Sequence, residues 1–194
     1  MDLWLVRHGE STWNVLGMAQ GQSDRATLTD RGIYQANQVA DELAGEAHHR
    51  PITSVWTSDL RRALLTAAPV AQRLGLPVRP DARLRERHLG VLEGALSTAL
   101  VPAVSGIEHG RVTDPDARPD GGESLRDVHT RLQSFVDELP ETPGDAVVVA
   151  HGGSVRMLRA CLTGVPVERM GWEILTNASI HRITRQVAQT RTAS

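Results

Sequence analysis

The chain alternates between short, solidly apolar runs and longer stretches in which apolar residues recur every three or four positions. The first run, "LWLV" at 3–6, has the length and density of a buried strand. A second, "ITSVWTS" at 52–58, and a third, "DAVVVAHGG" at 145–153, read the same way. "SIHRITRQV" at 179–187 alternates as a half-exposed strand would. Helical periods lie between them. At 29–45, Ile33, Ala36, Val39, Ala40 and Leu43 fall on one face behind Thr29, an N-cap residue type. At 59–75 a helix is expected to stop at Gly75 and to kink or break at Pro69. At 123–140, Leu125, Val128, Leu132, Phe135, Val136 and Leu139 form a stripe, with Ser124 as cap and Pro140 as stop. A further helix is expected from about Ser154 to Leu162.

Strands alternating with helices predict an α/β fold: a three-layer sandwich with a mostly parallel central sheet and helices on both faces. A length of 194 residues suits one domain, 1–194. Residues 87–122 break the pattern. Rich in Gly, Pro and Asp, they are expected to form a small loop-rich cap over the C-terminal edge of the sheet. The tail 188–194 is expected to fray. There is one local echo: "LWLVRHG" and "AVVVAHG" each run an apolar strand into His and Gly. In a parallel sheet His8 and His151 then emerge on the same edge, where ligands bind.

Composition narrows the chemistry. All 21 basic residues are arginine, which excludes a Schiff-base, P-loop or kinase-type lysine. An anion site here must be built from Arg, His and backbone N–H groups, and the planar arginine fork suits phosphate. The net charge of −2 argues against nucleic acid held by overall charge. The single cysteine, Cys161, leaves no intrachain disulfide. The start "MDLWLVRHGE" does not read as a signal peptide and no apolar run has membrane length, so a cytoplasmic protein without a membrane partner is expected. With no H-x-H, H-E-x-x-H or paired Cys, neither metal nor cofactor is expected.

In "RHGESTWN" (7–14), a cation and an imidazole end an apolar strand side by side, which serves an anion site rather than a core. On this stretch the chain resembles the histidine phosphatase superfamily, the phosphoglycerate-mutase-like proteins. The resemblance implies that His8 is a nucleophile attacking phosphorus, with Arg7 beside it neutralising phosphoryl oxygens. "TSDLRRALLTA" (57–67) is similar to the family's S-x-L-x-R-A-x-x-T segment, which makes Arg62, not Arg61, the phosphate clamp. "LRERHLGVLEG" (84–94) is similar to L-x-E-x-x-x-G-x-x-E-G and implies Glu86 as the proton donor, held protonated by partial burial and phosphate charge. The bare residues fit equally a solvated carboxylate paired with Arg85 or Arg87. His151-Gly152 corresponds to the histidine that completes the phosphate pocket, and the helix after Gly153 is expected to aim its N–H groups there. Asn14, which ends the R-H-G-E-x-x-x-N match, Gln20-Gly21, which resembles the family's Q-G, and Gly152 are expected to bind phosphate or substrate. "SDRATLT" lacks the proline of the family's D-x-P-L-T segment. Glu123 is read as orienting its helix, Glu93 as equally structural, and His88 as a lining residue at most.

The same His8 chemistry serves a phosphatase or a mutase. The family's cofactor-dependent mutases carry an E-R-H-Y-G run and a lysine soon after it. Here Glu86-Arg87-His88 is followed by Leu89, and no lysine occurs. These departures favour a phosphomonoester phosphatase acting on a small phosphorylated metabolite, of the broad-specificity or alpha-ribazole-phosphate kind. Its partner is then that small molecule, with a homodimer left open. The alternatives are a cofactor-dependent phosphoglycerate mutase and a non-catalytic phospho-ligand binding module, which would be expected to have lost His8 or Glu86. Selectivity is expected to come from 95–118.

Overall fold

The computed structural model describes residues 1–140 and 143–185. In chain order its elements are β1 (Asp2–Arg7), α1 (Thr12–Val15), α2 (Asp30–Ala47), β2 (Ile52–Thr57), α3 (Arg61–Leu74) and β3 (Val78–Pro80). Then come α4 (Pro102–Ser105), β4 (Ile107–Glu108), β5 (Arg111–Val112), α5 (Leu125–Glu138), β6 (Asp145–Ala150), α6 (Gly152–Thr163) and β7 (Ile180–Thr184). The central sheet runs β3-β2-β6-β1-β7, with β7 antiparallel to β1 and the other pairs parallel. The tail 188–194 and the last two residues of the predicted final strand lie outside the described residues.

Alternate side chains of the central strands feed two cores. Leu3, Leu5, Ala146, Val148 and Ala150 pack with α5 and α6, while Trp4, Val6, Val147 and Val149 pack with α2 and α3. This is why those runs are apolar throughout: a strand covered on both faces has no polar side. β7, on the edge, is half-buried and keeps its alternation.

Two local expectations are corrected. Ile33 is 50% exposed, because Gly32 occupies the inward position of the first turn of α2. There the backbones nearly touch: a Cβ on Gly32 would stand 2.0 Å from Glu10 O, and one on Gly9 would stand 2.5 Å from Gly32 O. Only glycines permit that approach. Pro69 does not interrupt α3, which runs unbroken to Gly75 in the left-handed conformation. Leu65, whose carbonyl loses its helical partner to the proline, lies on the exposed side.

At the amino edge of the sheet one buried carboxylate ties the strands. Asp145 Oδ1 accepts from Asp2 N at 2.9 Å, and its Oδ2 from Trp4 Nε1 at 3.3 Å. Arg50 pairs with both Asp145 and Asp2, and Arg182 of β7 donates to Asp2 Oδ2 at 2.7 Å. At the carboxyl edge the cap region is more ordered than a loop. It holds α4, the β4–β5 hairpin and short 3-10 turns at Gly90–Leu92 and Ser97–Ala99. Among the described residues no helix is long and apolar enough to cross a membrane.

Candidate active site

The pairing of β1 with β6 sets Arg7 beside Ala150, so the chain leaves both strands together and the next residues are both histidines. The rings of His8 and His151 meet edge to face, 5.2 Å between centroids. His8 Nδ1 lies 2.7 Å from Gly9 O. A carbonyl only accepts, so Nδ1 carries the proton and Nε2 keeps its lone pair. Burial, then the charges of Arg62 and Arg7, hold the His8 pKa well below its ordinary value, against a weaker opposing effect of the Gly9 bond. Burial does the same to His151, seconded by Arg62 and by His8. Both ring nitrogens of His151 are buried without a partner among the described residues.

Arg62 enters from the first turn of α3 and is fully buried. Its Nη2 donates to Gly21 O at 2.7 Å and its Nη1 to Ser23 O at 2.9 Å, while Nε has no partner. Burial lowers its pKa to about 10, which still leaves it cationic at neutral pH. Arg7 donates through Nη1 to Leu175 O, and its buried Nε likewise has no partner. Thr66, four residues along the helix from Arg62, accepts from Gly9 N at 3.1 Å and fastens the Arg7–Gly9 turn to α3. Buried donors are normally satisfied. The unmatched nitrogens of Arg7, Arg62 and His151 beside His8 therefore form a set fitted to an oxyanion.

Glu86 closes one side. Its Oε2 accepts from Gly153 N at 2.8 Å and its Oε1 from Arg87 N at 2.9 Å. A Cβ on Gly153 would stand 2.3 Å from Oε1, so glycine there makes room for the carboxylate. The helix N-terminus expected to face phosphate thus gives one of its N–H groups to Glu86 instead. The surface ion pair open on the bare residues is absent: Arg85 forks onto Asp59 at 2.7 and 2.6 Å, and the Arg87 side chain binds backbone carbonyls.

Above these groups lies a cavity of about 610 Å³. Of the predicted residues, Arg7, His8, Gln20, Gly21, Arg62, Glu86 and Gly152 line it, with His151 buried behind. Asn14 and His88 do not line it. Asn14 Oδ1 accepts from Ser11 N at 3.1 Å and Asn177 Nδ2 at 3.0 Å, capping α1 and bracing the turn after His8. Arg156 and Trp172 also line the cavity and were not anticipated. Spacing offered a signal for Arg156: four residues past Gly152 on one helix, it returns to the same face. Glu123 takes a fork from Arg131, whose Nη atoms also bind the carbonyls of Arg83, Arg85 and Glu86; this hub aims Glu86. Among the described residues no three His, Cys, Asp or Glu side chains cluster to hold a metal.

The model of the histidine phosphatase superfamily (branch 1) matches residues 3–193. The chain belongs to that superfamily. Among its relatives, "Probable phosphoglycerate mutase GpmB" of Yersinia pestis (strain Pestoides F) is 34% identical over 96% of this chain and 86% of its own length. A mycobacterial glucosyl-3-phosphoglycerate phosphatase, solved with VO3, superposes with a TM-score of 0.79 at 34% identity, covering 94% of this chain and 90% of that one. A protein of Thermus thermophilus, TTHB049, superposes at 0.71 and 34% identity, covering 94% and 93%. This member of the superfamily thus stands among phosphatase and mutase-like proteins.

Proposed function

We propose that the protein is a phosphomonoester phosphatase working through a phosphohistidine on His8. The lone pair of His8 Nε2 forms a bond to phosphorus as the ester P–O bond breaks. Glu86, as the carboxylic acid, gives its proton to the leaving oxygen. Water then attacks phosphorus and gives a proton to the Glu86 carboxylate, the N–P bond breaks, and inorganic phosphate leaves. Arg7, Arg62 and His151 hold the phosphoryl oxygens, whose charge grows in both transition states. Gln20, Gly21 and Gly152 shape the surrounding wall, and Asn14 acts by bracing the loop.

One observation carries this reading: His8 Nδ1 is committed to Gly9 O, and burial beside two arginines keeps the ring neutral. A neutral imidazole with a free, directed nitrogen is a nucleophile at neutral pH. Leu89 in place of the mutases' tyrosine, with no lysine in the chain, supports hydrolysis over transfer back to an acceptor. The relative named a phosphoglycerate mutase supports mutase chemistry as the second reading.

The test is phosphate release from a panel that includes alpha-ribazole phosphate, 3-phosphoglycerate, glucosyl-3-phosphoglycerate and sugar phosphates. Turnover is expected for at least one, and His8→Ala is expected to lower it by about 10⁴-fold or more. Activity retained in that variant removes His8 from the mechanism. Phosphoglycerate interconversion without phosphate release supports the mutase, and tight phosphate binding without turnover supports a binding module.

A further inference from the structure

Arg62 and Glu86 reach the cavity from separate stretches of chain, and among the described residues no hydrogen bond joins their side chains. One residue lies between them. Gln22 does not line the cavity, but its backbone belongs to the loop that holds Arg62. The carbonyls on either side of it, Gly21 O and Ser23 O, are the two acceptors of the Arg62 fork, at 2.7 and 2.9 Å. Gln22 N donates to Glu93 Oε1 at 2.7 Å, and the same oxygen accepts from Leu89 N at 3.2 Å. The loop presses on that carboxylate. A Cβ on Gly21 would stand 2.2 Å from Glu93 Oε1, and Gly21 has φ of +49°, so the position requires glycine.

The Gln22 side chain goes to the segment that carries Glu86. Its Nε2 donates to Glu86 O at 3.1 Å and to Glu123 Oε2 at 3.4 Å. Its Oε1 accepts from Arg85 Nη1 at 3.4 Å. Both amide hydrogens and the amide oxygen are therefore in use, and an uncharged amide suits the place. A carboxylate there would have no hydrogen for the Glu86 carbonyl and would repel Glu123. An ammonium would have no acceptor for Arg85. Gln22 thus ties the Arg62 loop to the Glu86 backbone, which Arg131 Nη2 holds from α5 at 3.0 Å.

We propose that Gln22 is a positioning residue that keeps the Glu86 carboxyl in register with the Arg62 guanidinium. The roles of those two groups are those of the phosphatase reading, on which this proposal rests. Proton transfer tolerates little misplacement. Without the amide, Arg62 keeps both of its carbonyls and the loop keeps Glu93, so phosphate binding stands. Glu86 keeps Arg131 behind it and the N–H groups of Gly153 and Arg87 on its carboxylate, so the acid is loosened rather than lost. What falls is proton delivery, which matters more as the leaving group becomes more basic.

Gln22→Met is close in size and removes the amide. The test measures kcat/KM, which reports the step that expels the leaving group, for 4-nitrophenyl, phenyl and benzyl phosphate. These esters are of like size and their leaving groups become steadily more basic. Gln22→Met is expected to slow benzyl phosphate by about tenfold and 4-nitrophenyl phosphate by less than about threefold. In the Glu86→Gln protein, where there is no acid left to aim, the same substitution is expected to change benzyl phosphate by less than about twofold. Inorganic phosphate affinity, measured by calorimetry, is expected to stay within about threefold. Gln22→Ala carries the same expectations should the Met variant fail to fold. Equal loss on all three esters, no loss, or a loss undiminished in the Glu86→Gln protein overturns the proposal. The phosphatase reading fails by a different sign: wild-type protein that releases phosphate from none of the esters removes that reading and the proposal with it. A wild-type protein and a Glu86→Gln variant that behave as expected beside an unaffected Gln22→Met remove the proposal alone.

Discussion

Arg62 and Arg87 are both buried, both line the same cavity, and neither pairs with a carboxylate. They differ in what their donors touch. Arg87 binds Glu123 O at 2.6 Å, Ser105 O at 2.6 Å, Val104 O at 3.0 Å and Ala117 O at 2.7 Å, so its fork is filled and stitches separate segments of 87–122 to one another and to Glu123. Arg62 binds two carbonyls and leaves Nε unmatched beside the histidines. One cation has been converted into structure; under the proposed function the other is held back for a ligand. The same residue type at similar depth thus divides into staple and receptor, and the division is read from unmatched donors rather than from burial or charge.

Substitutions on the two sides should separate accordingly. The largest effect after loss of His8 is expected for Glu86→Gln, about 10²–10⁴-fold in kcat on alkyl phosphates. Activated aryl esters, whose leaving groups need no proton, should lose far less; equal losses would remove Glu86 from the acid role. Arg62→Ala is expected to lower kcat/KM by about 10²–10³-fold and to weaken inorganic phosphate binding measured by calorimetry. Arg87→Ala should do the reverse. Orphaned carbonyls would destabilise the fold by about 2–4 kcal/mol, seen as a lower Tm, while phosphate affinity stays within about threefold. If Arg87→Ala abolishes phosphate binding in a folded protein, the division between staple and receptor fails.

The smallest effect is pH dependence. His8 and His151 have pKa values held below the ordinary 6.5. The unfolded chain therefore takes up these protons first as pH falls. Their contribution to stability is full above pH 6.5 and is lost as pH drops toward the folded values. Thermal melts should show Tm falling as pH is lowered from about 7.5 to about 5.5, and His8→Asn should flatten that slope. Bound inorganic phosphate, which favours imidazolium, should flatten it too. A slope unchanged by either would mean that other groups control it.

Much of the fold was legible because its signals are local. Solid apolar runs read as strands covered on both faces, and Thr29, Ser124 and Gly75 act as the caps that their residue types suggest. The meeting of His8 with His151 was legible from the repeated strand-His-Gly pattern and the rule for parallel sheets. What escaped depends on contacts distant in sequence. Ile33 faces outward because Gly32 meets the Gly9–Glu10 backbone, a closeness no helical periodicity encodes. Asn14 matched a motif, yet its side chain serves a helix cap and Asn177. The ion pair weighed for Glu86 could not be settled by reading neighbours, because Asp59 takes Arg85 from 26 residues away. The short edge strand β3 and the cap hairpin gave no period long enough to see.

The carboxylate of Asp145, at the opposite edge of the sheet from the histidines, works as a parity check on them. Side chains alternate along a strand, so a slip of β1 against β6 by one residue would send His8 and His151 to opposite faces. Such a slipped sheet could keep most of its ladder and a mostly apolar interior, since both faces of these strands are apolar. It could not keep Asp2 N and the Trp4 indole on one buried carboxylate. The address of the two histidines is therefore written at the far end of their strands, and error there is all-or-none rather than graded.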